Sequence, residues 1–141
     1  MTQFKNNLYH TDARPFRGSS WNEIAPQARH LLRSVTRRTR RRSYIRSAYF
    51  RKDKIFLSFF WRHLSQKPYP EQLRRMRYLP CAIELIQRSR QHPTSKQNPN
   101  HADETLHRFA GITPNQQLFM VQIKEYKPTG RKELMSIFPY D

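Results

Sequence analysis

The chain has 141 residues, enough for one domain with a modest core, and its 27 Lys and Arg against 10 acids leave it at +17. Hydrophobic residues make up only 36% while aromatics reach 13%, so a folded body that buries aromatic surface is expected beside looser polar segments. The single Cys81 excludes an internal disulfide and a cysteine-based zinc cluster, and no apolar run is long enough for a transmembrane helix.

A charge of this size repels itself in a compact fold and calls for an anionic partner. A polyphosphate is the simplest one, because each neutralised phosphate releases counterions. Arg exceeds Lys, and the guanidinium fork suits bidentate phosphate contacts and stacking on bases. An acidic lipid surface or an acidic protein would also serve, and a passive basic surface is the plain alternative. The N-terminal "MTQFKNNLYH" lacks the apolar stretch of a secretion signal, which points to a cytoplasmic site of action, reached directly or through other delivery machinery.

In chain order, residues 1–19 are polar and irregular, with Pro15 and Gly18, and are expected to form a flexible lead-in. Residues 20–141 are read as one α+β domain. Ile24, Ala28, Leu31, Leu32 and Val35 recur at helical spacing after a Ser20/Glu23 capping-box pattern. Pro26 is costly inside a helix, so the helix proper is expected to begin near it. A basic Arg-rich segment at 33–46 follows, with seven Arg and no acid. A solvated helix end, a nuclear-type address and a nucleic-acid arm compete here; a phosphate-touching arm or helix end is favoured by the unmixed sign.

"SYIRSAYF" and "IFLSFF" around "RKDK" give a hairpin signal. "WRHLSQK" suits a short helix, and 71–90 is helical with Pro80 kinking or splitting it. Residues 91–103 read as a polar linker. The rest, "LHRFAGITPNQQLFMVQIKEYKPTGRKELMSIFPYD", reads as a three-stranded antiparallel meander with Pro and Gly in its turns. The expected fold is therefore N-terminal helices and a small antiparallel sheet, made of the hairpin plus this meander.

Alternation puts Phe119, Val121 and Ile123 on one face of the middle strand and Met120, Gln122 and Lys124 on the other. In the third strand it separates Met135 and Ile137 from Leu134, Ser136 and Phe138. The loops leave the register open, so either His107 or Arg108 shares the face of Gln122 and Lys124, but not both. A solvated face is the ordinary explanation of such a polar side. Cleavage of RNA through its 2′-hydroxyl would use the same residue types: an imidazole for proton transfer, Arg and Lys beside the phosphorane, Ser and Gln to hold substrate. The ten acids form no clustered set of the two-metal kind, so neither a metal nor another cofactor is expected. His10, His30, His92 and His101 show no ligand spacing, and His63 reads as structural or as a second group for the same cleft. Tyr44, beside the Arg run, is the better candidate for stacking on bases; Trp61 reads as core.

The stretch "HRFAGIT…QLFMVQIKEYKPTGRKELMSIFP" resembles the C-terminal signature of phage-associated ribonucleases of the barnase–EndoU–colicin–RelE (BECR) superfamily. The likeness runs over positions 44–139, more loosely before the meander. It implies a small antiparallel sheet with helices on one side and RNA across the other, in a toxin-type ribonuclease cutting tRNA or mRNA. It marks His107, Arg108, Gln122, Lys124 and Ser136: His107 for proton transfer, Arg108 and Lys124 on the scissile phosphate, Gln122 and Ser136 positioning substrate. Ala110 stands where that family carries an aromatic. Expected RNA contacts are Arg37, Arg38, Arg40, Arg41, Arg42, Tyr44, Arg51, Lys52 and Lys54. An acidic antitoxin or immunity protein is the expected partner, since an active ribonuclease needs restraint in its own cell. The alternative is a non-catalytic basic RNA- or DNA-binding protein; a module docking an acidic protein is a third.

Overall fold

A computed structural model describes residues 7–140. The elements follow in the order β1 (Leu8–His10), α1 (Trp21–Val35), β2 (Arg37–Arg38), β3 (Ser43–Arg46), β4 (Lys54–Phe56), α2 (Ser58–Ser65), α3 (Tyr69–Met76), α4 (Leu79–Arg88), β5 (Thr94–Asn98), β6 (His101–Ile112), β7 (Leu118–Tyr126) and β8 (Arg131–Pro139). The α+β class holds, but the sheet is larger than the small one expected. Among the described residues it has eight strands, in the order β1-β6-β7-β8-β4-β3-β2, with β5 also pairing β6.

The meander forms as expected from its alternating pattern, with β6 against β7 and β7 against β8, all antiparallel. The hairpin also forms, although its strands are short and the turn between them runs through Arg51 and Lys52, both left-handed at φ 56° and 71°. A parallel pairing of β4 with β8, Ile55 to Lys132 and Phe56 to Glu133, joins the two pieces. Pro80 splits the long helical stretch into α3 and α4, occupying the first turn of α4, where its missing N–H costs nothing.

Four expectations need correction. Helix α1 starts at Trp21 and carries Pro26 inside it. Its Ser20 hydroxyl makes no bond to a helix amide; instead the Glu23 carboxylate reaches back to the Ser19 amide and to both serine hydroxyls. The linker at 91–103 contains β5, an exposed antiparallel edge strand against β6. The Arg-rich segment begins as a helix end, with Arg33 in the last turn of α1, but beyond Val35 it is sheet and not an arm: Arg37–Arg38 form an edge strand returning through the Thr39–Arg42 turn. Within the supposed lead-in, Leu8–His10 form a strand parallel to β6; its first six residues lie outside the described ones.

All four helices bury apolar faces on one side of the sheet. Ile24 and Ala28 of α1, Phe60 and Leu64 of α2, Leu73 and Met76 of α3, and the apolar side of α4 meet Phe109, Phe119, Val121, Ile123, Leu134 and Ile137. Each of the larger of these side chains contributes about 1.5–3 kcal/mol by leaving water. Cys81 lies in this layer, fully buried, its thiol donating to the Ala13 carbonyl and its pKa pushed up to about 12 by burial. It acts as a small hydrophobe.

Glu84 on α4 fastens the N-terminal segment. Its carboxylate accepts the Tyr9 hydroxyl at 2.8 Å, the Asp12 amide at 3.0 Å and the Ala13 amide at 2.8 Å. Burial opposes its ionisation, but the Asp12 amide, the Tyr9 hydroxyl, the Ala13 amide and the Arg88 charge outweigh that, so its pKa lies below the usual carboxylate value. Tyr9 is correspondingly raised to about 12, by burial first and Glu84 second. Glu84→Ala is expected to cost about 3 kcal/mol in urea unfolding. A depressed carboxyl contributes stability above its unfolded pKa and loses it as pH falls through the folded value. Wild-type stability should therefore decline below about pH 4, and Glu84→Gln should flatten that decline; an unchanged acid slope would remove Glu84 as its source.

Candidate active site on the Arg108 face of the sheet

The register settles which of His107 and Arg108 joins the polar row. Arg108 lies opposite Gln122, and Gln122 opposite Ser136. His107 lies opposite Ile123 and so belongs to the helix-covered face. A bulge between Gln122 and Ile123 pairs Ile123 with Leu134, leaving Met135 without a partner. It turns the parity of β8, so Leu134 joins Ile137 in the core, contrary to simple alternation.

The row is hydrogen-bonded across three strands and one helix. Arg108 donates to Gln122 Oε1 through Nε at 3.1 Å and Nη2 at 2.9 Å. The Gln122 amide donates to Met135 Sδ at 3.3 Å. Arg75, from α3, donates Nη1 to Ser136 Oγ at 3.1 Å. Both guanidiniums gather at one ring: the Phe138 centroid is 5.3 Å from Arg108 Cζ and 5.6 Å from Arg75 Cζ. Gln122 and Ser136 are buried, while Arg108 is exposed.

Charge matching distinguishes these cations. Arg75 donates Nε to Glu71 at 2.8 Å. Burial disfavours the Glu71 carboxylate, yet the Arg75 bond and the charges of Arg75 and Arg74 keep its pKa lowered. Lys124, two residues along β7 from Gln122, sits 3.7 Å from Glu104 and 3.6 Å from Glu133, with its ammonium 3.9 Å above the Phe59 ring. Its charge is already answered. Arg108 has no carboxylate partner among the described residues, so it is the cation this row leaves available to an anion.

One imidazole is tied to the same side. His63 of α2 stacks on Phe59, with ring centroids 5.9 Å apart. Burial and then the charges of Lys67 and Arg75 hold its pKa below the usual histidine value. It is therefore the free base at neutral pH. Arg75 was not among the expected site residues: three Arg, at 74, 75 and 77, crowd α3 and its end, and no periodicity tells which of them turns toward β8.

His107 has a different setting. Its Nδ1 is 2.7 Å from Ser95 Oγ and its Nε2 2.7 Å from Glu125 Oε1, with Phe50 edge-on at 5.0 Å. Glu125 continues to Lys132 at 3.8 Å, and Lys132 to Asp53 at 2.7 Å. This chain of contacts ties β5, β6, β7 and β8 to the turn before β4.

Of the expected RNA contacts, Arg37, Arg51 and Lys52 line one groove, and the others do not. Arg37, Arg38, Arg40 and Arg41 are exposed on or beside β2. Arg42 reaches Glu133 at 3.6 Å. Arg51 and Lys52 are exposed at the hairpin turn. Tyr44 is buried, edge-on to Phe56, with Arg46 and Lys54 over its ring at 5.3 and 5.0 Å. It offers no open face to a base, contrary to expectation.

Among the described residues no three His, Cys, Asp or Glu side chains gather as a possible metal site, and no helix is long and apolar enough to cross a membrane. Comparison of the chain with protein-family models, curated proteins and solved structures finds no match.

Proposed function

We propose that the protein is a metal-independent, toxin-type endoribonuclease that works on the face of its sheet that carries Arg108. The observation that carries this reading is the meeting of Arg108 and Arg75 at Phe138, above the hydrogen-bonded Gln122 and Ser136. Two fixed guanidinium forks beside buried acceptors suit the equatorial oxygens of a phosphorane. In the reaction, the RNA 2′-oxygen attacks phosphorus, a base takes the 2′-proton, and the P–O5′ bond breaks as the leaving oxygen is protonated. His63 is the base this face supplies. The role first expected for His107 passes to it, and Lys124 becomes a positioning group for Phe59 and the two acids around it. RNA is the substrate in this reading, with an acidic antitoxin or immunity protein as the partner that restrains it.

The test is cleavage of total RNA by the purified protein in EDTA. His63→Ala should lower the rate by about 10²–10⁴-fold, while a folded His107→Ala protein keeps cutting. Because the His63 pKa is lowered, cleavage should persist down through pH 7 and fail only below the ordinary histidine range. Intact RNA at micromolar protein would sink the proposal. Loss of cleavage in His107→Ala alone would transfer the chemistry to the Ser95–His107–Glu125 chain. A second reading, a binder of RNA or DNA without cleavage, is favoured by the position of His107 on the far face with both ring nitrogens engaged.

A further inference from the structure

A groove of about 1080 Å³ lies between the end of α1, strand β3, the turn before β4 and the end of α4. Its walls carry Arg37, Arg46, Arg51, Lys52 and Arg90 and no carboxylate. None of these five has an acidic partner among the described residues. Its remaining lining includes Val35, Ile45, Ala48 and Tyr49, apolar and aromatic surface between cations.

The turn supplies a second, independent observation. Arg51 and Lys52 are left-handed at φ 56° and 71°, a conformation that glycine adopts without strain and bulky residues rarely do. The turn is held in that shape by Lys52 N–H on the Ser47 carbonyl at 2.7 Å, Phe50 N–H on Ser47 Oγ at 3.0 Å and Arg46 Nη1 on the Lys52 carbonyl at 2.9 Å. Glycine at either position would relax the backbone and remove a cation from the rim. Strained backbone that keeps long cationic side chains in place is a mark of a site.

We propose that this groove binds a single strand of RNA through its phosphates. Four of the five cations are arginines, whose forks match phosphate oxygens in pairs. The groove is too large for one phosphate, and its apolar patches beside Tyr49 suit riboses and unstacked bases. The site is separate from the Arg108 row, so it extends the cleavage reading without depending on it.

Fluorescence anisotropy with a labelled 2′-O-methyl RNA oligonucleotide tests this, because that RNA cannot be cut through its 2′-oxygen. The double variant Arg51→Gly, Arg90→Ala keeps the left-handed turn. It should weaken binding at least tenfold at 0.1 M salt and make the salt dependence shallower by about 1.4, or about 0.7 per lost phosphate contact. The control Lys96→Ala, Lys127→Ala removes the same charge elsewhere and should bind within twofold to threefold of wild type. Thermal melting checks that each variant is folded. Equal loss in both double variants would reduce the effect to net charge and overturn the proposal. So would polyglutamate competing as well as RNA, which would make the groove a seat for an acidic protein. Either failure leaves the EDTA cleavage result to stand or fall on its own.

Discussion

Arg108→Ala is expected to lower RNA cleavage by about 10²–10³-fold, the usual loss when one preorganised donor to a developing oxyanion is removed. The drop should fall on kcat more than on KM, since a phosphorane gains from the fork more than the ground-state diester does. Stability should change little. Arg108 is exposed, and the loss on folding is limited to leaving the buried Gln122 Oε1 without its two donors, about 1 kcal/mol. Arg108→Lys retains charge without the fork and should recover only part of the rate. Arg75→Ala should behave differently: it also releases Glu71 from its bond, so both turnover and melting temperature should fall. If Arg108→Ala and wild type cut alike while both are folded, the Arg108 face is not the reaction surface.

Gly111→Ala should be the most damaging conservative change in the fold. A methyl group at Gly111 would sit 2.4 Å from Cζ and 2.6 Å from Cε1 of Phe119 and 3.0 Å from Leu85 Cδ1. The Phe119 ring is fully buried and stacked on Tyr78 at 5.8 Å, so it cannot retreat into solvent. Overpacking of this kind costs about 3 kcal/mol, roughly 10 °C in melting temperature for a chain of this size. In an unstrained strand the same substitution would be mildly stabilising, through the entropy of the unfolded chain. Adding Phe119→Leu should restore part of the loss, because it withdraws the ring atoms that clash. A Gly111→Ala protein melting with wild type would show that the ring and α4 yield more easily than their packing suggests.

Local patterns foretold the elements whose own residues encode them. The 3.6-residue spacing of Ile24, Ala28, Leu31 and Leu32, the break at Pro80 and the alternation of Phe119, Val121 and Ile123 all became structure. What sequence did not disclose is pairing over distance. Strand β5 carries Thr, Ser, Lys, Gln and Asn, with no apolar alternation, because an exposed edge strand takes its order from the ladder to β6. The parallel union of β4 with β8 joins residues nearly eighty apart, and no periodicity reports that. The bulge at Met135 inverted part of β8. Of the five residues singled out in the meander, Arg108, Gln122 and Ser136 stand in one cross-strand row, with Arg108 bonded to Gln122, and Lys124 lies just along it. His107 went to the other face, a consequence of register that the loops could not specify. Arg75 and His63 reach that side from helices, which strand parity does not describe.

Strand β8 is the last of the eight to be synthesised, yet it lies between β7 and β4 in the middle of the sheet. Without it the sheet falls into two pieces with open edges, β2-β3-β4 and the group around β6 and β7. Such edges invite mispairing, and their closure is a long-range step. Ser136 and Phe138 arrive on that same strand, so the row around Arg108 does not exist in a nascent chain. The Arg108 row is therefore completed last, by the same step that closes the sheet.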